Sequence, residues 1–299
     1  MNDLQHDLYQ ENILDHAHNP RNYEPTPSAL RAAPRGEPLN SKRPWGRGTN
    51  ANAFGAEVLP LREDLGGGIF LCYNQKMLKL TNIKVKIKDT DNVLIENASM
   101  EIESGKAYVL SGKNGSGKSS LLSAIMGHPN YEIVEGEMSV DGKIIKNNSV
   151  ENSVKAGIYM TMQNVPEIEG VSLIQLLHKS ISKSEKNKSI LELNKELITY
   201  CEQFDIDRSF IQRDLNYKMS GGEKKQAELL HLLALKPKYI LIDEIDSGVD
   251  KGSIEKIFKV LKYLQEENNS ALLIVSHHTD VDEYLSEERF YEVDNKMVK

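Results

Sequence analysis

Apolar and polar residues alternate along Leu78, Leu80, Ile83, Val85 and Ile87, an imperfect period of two that predicts a strand. Val93 to Ile102 predicts a second, and the short apolar run Ala107-Tyr108-Val109-Leu110-Ser111 a third. A helix follows through Leu121 to Met126. Met138-Ser139-Val140 and Ile144-Ile145 flank Asp141-Gly142, which signals a hairpin. The stretch from about Val171 to Asp214 carries Leu and Ile at helical spacing between charged faces. Beyond it the pattern predicts a helix over 222–234, a strand over 239–243, a helix over 252–267, a strand over 271–275, a helix starting near Asp280 and a small hairpin over 290–298. Strands alternating with helices predict an α/β fold with a mostly parallel core sheet. The helical stretch, about 165–218, is expected to form a smaller α-helical subdomain.

Before Met77 this patterning is lost. Pro20, Pro25, Pro27, Pro34, Pro38, Pro44 and Pro60 lie there, seven of ten prolines, together with six of nine arginines and the only tryptophan, Trp45. Pro25 to Gly68 sustains neither period and is dense in Pro, Gly, Ala and Arg, which favours turns and disorder. The expected organisation is therefore a short helix fragment over 1–24 built on Leu4, Leu8, Ile13 and Leu14, a disordered linker over 25–76, and one domain over 77–299. The N-terminal extension is expected to be largely irregular, with Met77-Leu78-Lys79-Leu80 as the natural start of the folded part.

Composition narrows the class. The chain has 299 residues, 39% hydrophobic, with a net charge of −7, which gives no reason to expect nucleic acid as a partner. Cys72 and Cys201 stand far apart, arguing against a disulfide framework or a local metal site. No apolar run approaches the roughly 18 residues of a membrane span, and no secretory signal opens the chain, so no direct membrane insertion and a cytoplasmic location are expected.

The chemistry lies in short runs. Gly112-Lys113-Asn114-Gly115-Ser116-Gly117-Lys118-Ser119 fits G-x-x-x-x-G-K-[S/T], a phosphate-binding P-loop, and it follows a predicted buried strand and opens a predicted helix. A plain Gly/Ser turn would not require that setting. Gly112, Gly115 and Gly117 let backbone N–H groups wrap a phosphate; Asn114 and Ser116 belong to the same loop. Lys118 would reach the β- and γ-phosphates of ATP, the Ser119 hydroxyl would ligate Mg²⁺, and Ser120 adds a donor. Then come Gln163 after an apolar segment, Ser220-Gly221-Gly222-Glu223 at a helix start, Ile240-Leu241-Ile242-Asp243-Glu244, and His277 after Leu272-Leu273-Ile274-Val275-Ser276.

This ordered series resembles the nucleotide-binding cassette of the ABC ATPases, which have the P-loop NTPase fold. The resemblance implies that Asp243 holds Mg²⁺ through water, that Glu244 polarises the attacking water, that Gln163 contacts metal and water, and that His277 contacts the γ-phosphate. It implies that Ser220, Gly221, Gly222 and Glu223 bind the γ-phosphate held by a second subunit, so that two copies sandwich two ATP molecules with Asp250 at the seam. ATP-dependent homodimerisation is expected on that ground. Among ABC ATPases, Ile245-Asp246-Ser247-Gly248-Val249-Asp250, Gly127-His128-Pro129-Asn130-Tyr131-Glu132-Ile133, Pro166-Glu167-Ile168-Glu169-Gly170-Val171-Ser172 and Ser220-Gly221-Gly222-Glu223-Lys224-Lys225 resemble SufC, the ATPase of the Suf iron–sulfur cluster assembly system. That implies SufB- and SufD-like partners. The alternatives are the ATPase subunit of an ABC membrane transporter and a non-hydrolysing structural paralogue. An aromatic residue that many transporter cassettes stack on adenine has Ile87 or a neighbour in its place. Leu8-Tyr9-Gln10-Glu11-Asn12-Ile13-Leu14-Asp15-His16 with Asn19-Pro20-Arg21-Asn22 resembles the opening helix of the IscU/SufU scaffolds, over residues 4–23 only. It carries no cluster-binding cysteine in a matching context. Residues 1–76 are taken as a scaffold-gene remnant, with a docking arm as the alternative.

Overall fold

The computed structural model describes residues 76–161, 167–182, 188–243, 251–275, 285 and 288–298. The expected N-terminal helix and linker, and the helix near Asp280, lie outside the described residues.

Two long strands open the fold, β1 (Met77–Ile87) and β2 (Val93–Glu103), paired antiparallel. β3 (Ala107–Gly112) leads through a glycine loop into α1 (Lys118–Met126). A hairpin follows, β4 (Tyr131–Val140) and β5 (Lys143–Ile144), then α2 (Val150–Lys155) and β6 (Ile158–Met160). Asp141 and Gly142 at the hairpin turn have φ of 50° and 75°, the positive pair that a tight two-residue turn between right-twisted strands requires.

The stretch expected to be helical over about 171–214 holds α3 (Leu173–Ser182), α4 (Ile190–Phe204) and a short 3₁₀ turn (Arg208–Ile211). Apolar period alone does not reveal the breaks. Local capping does, because Ser189 and Glu192 close a reciprocal capping box that starts α4 afresh, and Asp205 ends it in the left-handed region at φ 52°. Then come α5 (Gly221–Leu235), β7 (Tyr239–Asp243), α6 (Lys251–Asn268), β8 (Ala271–Val275), β9 (Glu288–Asp294) and β10 (Met297–Val298).

The ten described strands form one sheet in the order β5-β4-β1-β2-β10-β9-β3-β8-β7-β6. From β9 to β6 every pairing is parallel, the core that strand–helix alternation predicts. β1, β2, β4 and β5 add an antiparallel wing. Every residue of β7 and β8 is buried, as expected where helices cover both faces of a parallel sheet. Leu121, Leu122 and Ile125 of α1 pack with Tyr108, Leu110, Leu241, Leu273 and Val275 into the main core. That packing anchors α1 above the ends of β3, β7 and β8, where the candidate chemistry lies.

Candidate functional site

The site begins where β3 stops. Gly112 has φ 141°, and a Cβ added there would stand 2.6 Å from the Val293 carbonyl oxygen of β9. Only glycine lets the chain leave the sheet so close to its neighbour. Gly117, at φ 105°, is the N-cap of α1, and no acidic residue occupies that helix's first turn. Its free N–H groups and positive dipole end are therefore open to an anion. Lys118 is 6% exposed. Its Nζ donates to the carbonyls of Gly112 at 2.7 Å and Lys113 at 3.1 Å. Two of the three ammonium donors thus shape the loop and a third is left to face a phosphate oxygen.

Two observations test whether the loop fits a phosphate and a metal. The Ser116 hydroxyl is buried without a hydrogen-bond partner among the described residues, a cost that a phosphate oxygen would relieve. The Ser119 hydroxyl donates to Asp243 Oδ1 at 3.0 Å, joining the start of α1 to the end of β7. A hydroxyl beside a buried carboxylate is an all-oxygen donor pair of the kind Mg²⁺ takes, usually with several waters retained. Asp243 is itself 4% exposed, a position a carboxylate rarely occupies without partners. Ser120 sits half-buried on the same first turn.

Asn114, Gly115, Ser116 and Gly117 line a cleft of about 310 Å³ whose other walls are Asn92–Leu94 at the start of β2 and Asp294–Lys296 at the turn between β9 and β10. No aromatic side chain is among its described lining residues. Sequence patterning does not single out the β9–β10 turn as a wall, because a surface turn carries no periodic signal. Its one cue is Asn295-Lys296, both at positive φ.

Gln163, Glu244, Asp250 and His277 lie outside the described residues. The strands that lead to three of them are described, and they are neighbours. Asp243 of β7 pairs with Val275 of β8, and the Thr161 N–H donates to the Leu241 carbonyl at 2.9 Å. The segments running into Gln163, Glu244 and His277 therefore reach one edge of the sheet side by side.

Ser220–Glu223 build a separate centre at the start of α5. Ser220 caps the helix by accepting from the Glu223 N–H at 3.3 Å, and Glu223 Oε2 accepts the Ser220 N–H at 2.7 Å. Glu223 Oε1 pairs with Arg213 at 2.8 Å. The backbone bond from Ser220, followed by the Arg213 guanidinium, holds the Glu223 carboxyl down at about 2. A Cβ at Gly221 or Gly222 would meet nothing within 4 Å, so this helix start presents bare backbone to the outside. Arg213 went unnoticed in the sequence because nothing in its spacing marks it as the partner of Glu223.

A family model described as ABC transporter matches residues 95–247. The chain belongs to the ABC transporter ATPase family. Vegetative protein 296 of Bacillus subtilis is 32% identical to this ABC ATPase over 212 residues, 70% of this chain and 80% of that protein. The probable ATP-dependent transporter slr0075 of Synechocystis is 31% identical over 75% of this chain and 89% of its own length. Ycf16 of Cyanidium caldarium, also described as a probable ATP-dependent transporter, is 30% identical over 74% and 88%. Among solved structures, the dimeric cassette MJ0796 matches with a TM-score of 0.63 at 24% identity, over 75% of this chain and 97% of that one, which agrees on the fold. The match of residues 4–23 to IscU/SufU finds no support in these comparisons. No described helix of this ABC ATPase is long and apolar enough to cross a membrane.

Proposed function

We propose that this chain binds Mg·ATP at Gly112–Ser120 and hydrolyses it between two copies of itself to drive conformational change in an iron–sulfur assembly complex of the Suf kind. The observation that carries the nucleotide site is the contact between Ser119 and Asp243, which unites the P-loop helix with a buried carboxylate at the end of β7. The loop amides and Lys118 hold the phosphates, and Ser119 and Asp243 hold Mg²⁺. When bound, Mg²⁺ offsets charge on the phosphate oxygens. Glu244, next along the chain, accepts a proton from the water that attacks the γ-phosphorus; Gln163 orients that water and His277 donates to the γ-phosphate. The bond to the β–γ bridging oxygen breaks, giving ADP and phosphate. Ser220, Gly221 and Gly222 of one copy donate to the γ-phosphate held by the other, and the Arg213 pair keeps the Glu223 carboxylate from repelling it.

The Suf reading is supported by the SufC-like run Ile245–Asp250 and by glutamate at position 223. SufB- and SufD-like proteins are the partners it implies. A second reading, the ATPase subunit of a membrane transporter, is favoured by the descriptions of the Synechocystis and Cyanidium relatives. Affinity purification from native lysate separates the two. Co-purification of soluble SufB- and SufD-like proteins supports the first, and co-purification of an integral membrane subunit overturns it.

A further inference from the structure

β6 is one edge strand of the described sheet and has three residues, with register Ile158↔Tyr239, Tyr159↔Ile240 and Met160↔Leu241 against β7. The main chain extends the ladder by one bond, Thr161 N–H to Leu241 O at 2.9 Å. On a strand, every second residue turns its N–H and C=O to the same neighbour, so Leu241 and Asp243 both face β6. In a ladder that continued, the Thr161 carbonyl would accept the Asp243 N–H. Here the Thr161 hydroxyl accepts it, at 3.3 Å. Thr161 is 1% exposed and Asp243 4%, so water is a poor substitute for that acceptor. The side chain takes a backbone role at the end of β6.

We infer that Thr161 is a positioning residue for the metal-binding carboxylate. It fixes the main chain of Asp243 at the point where Oδ1 accepts from Ser119, and so ties the chain entering Gln163 to the same carboxylate. The inference rests on the reading of Asp243 as a carboxylate that holds Mg²⁺. Partners that hold a metal-binding carboxylate in place are worth about 10- to 100-fold in metal affinity or activity. Valine matches the shape of threonine and lacks the acceptor; serine keeps the hydroxyl.

The test is a Mg²⁺ titration of the binding of a fluorescent ATP analogue to the full chain, with no turnover needed. Thr161→Val should raise the Mg²⁺ concentration at half-saturation about tenfold or more. Its affinity for the analogue in EDTA should not change, and Thr161→Ser should stay within about twofold of wild type. Thr161→Ala, which removes the hydroxyl without adding bulk, is expected to match Thr161→Val and serves if the valine variant does not fold. An unchanged Mg²⁺ requirement in these variants overturns the inference. So does a loss of affinity in EDTA as large as the loss in Mg²⁺, which would mark general disruption of the loop. Asp243→Asn separates this outcome from failure of the site reading. If it abolishes the Mg²⁺ dependence and Thr161→Val leaves it intact, only the positioning role fails. If Asp243→Asn keeps the dependence, the metal assignment fails and the inference goes with it.

Discussion

Gly115→Ala separates the fold from nucleotide binding. Gly115 has φ 76°, and an added Cβ would meet no heavy atom within 4 Å. The cost to the folded chain is then the left-handed backbone penalty alone, roughly 1–2 kcal/mol. For a domain of this size that is a fall in melting temperature of about 2–8 °C. The space beside Gly115 belongs to the phosphate cleft, so the same methyl group stands where the loop amides must close on ATP. Nucleotide at a hundred times its dissociation constant stabilises the wild-type chain by about 2.7 kcal/mol, and that gain should vanish. Gly112→Ala is the contrast. There the Cβ lies 2.6 Å from the Val293 backbone and 3.0 Å from Ser116 Oγ, which adds overpacking of roughly 1–3 kcal/mol and strains the β3–β9 contact. Differential scanning fluorimetry with and without Mg·ATP measures both effects. The reasoning is refuted if Gly115→Ala keeps the wild-type nucleotide shift, or if its nucleotide-free midpoint falls as far as that of Gly112→Ala.

Lys118→Ala should abolish nucleotide binding and also loosen the loop, since its Nζ holds the Gly112 and Lys113 carbonyls; unchanged affinity for a fluorescent ATP analogue would overturn the P-loop assignment. Removal of residues 1–76 takes away the described bond from Ser104 N–H to Lys76 O and leaves β1 whole, so turnover should stay within about twofold. A large loss of activity or of partner capture would show the extension to be functional. Glu223 has its carboxyl lowered to about 2 from 4.5, so its stabilising contacts are fully present above about pH 4.5 and fade as pH falls toward 2. Glu223→Gln should flatten urea stability between pH 3 and pH 5 relative to wild type, and identical slopes would contradict the assignment.

Much of this was legible in the sequence for a physical reason. β7 and β8 are continuous apolar runs because both faces of a parallel strand are buried, and Gly112, Gly115 and Gly117 mark a loop that only glycine can shape. Ser220-Gly221-Gly222-Glu223 announces its helix through the capping box. The wing was less visible. β1 carries register shifts near Ile83 and Val85, and these break the clean alternation. Thr161 and Arg213 were invisible because each acts through one long-range contact, to Asp243 and Glu223, and no local period encodes such a pairing. The assignments of Gln163, Glu244 and His277 rest on the motif order and on the neighbouring ends of β6, β7 and β8.

Hydrolysis between two copies is tested most directly on Glu244→Gln. The amide cannot take the proton of the attacking water, so ATP should bind and persist, and the copies should stay together. Light scattering with ATP and Mg²⁺ should report twice the chain mass of 33.7 kDa, falling to a single chain when nucleotide is removed. A variant that binds ATP yet stays monomeric, or that releases phosphate at the wild-type rate, would contradict the account.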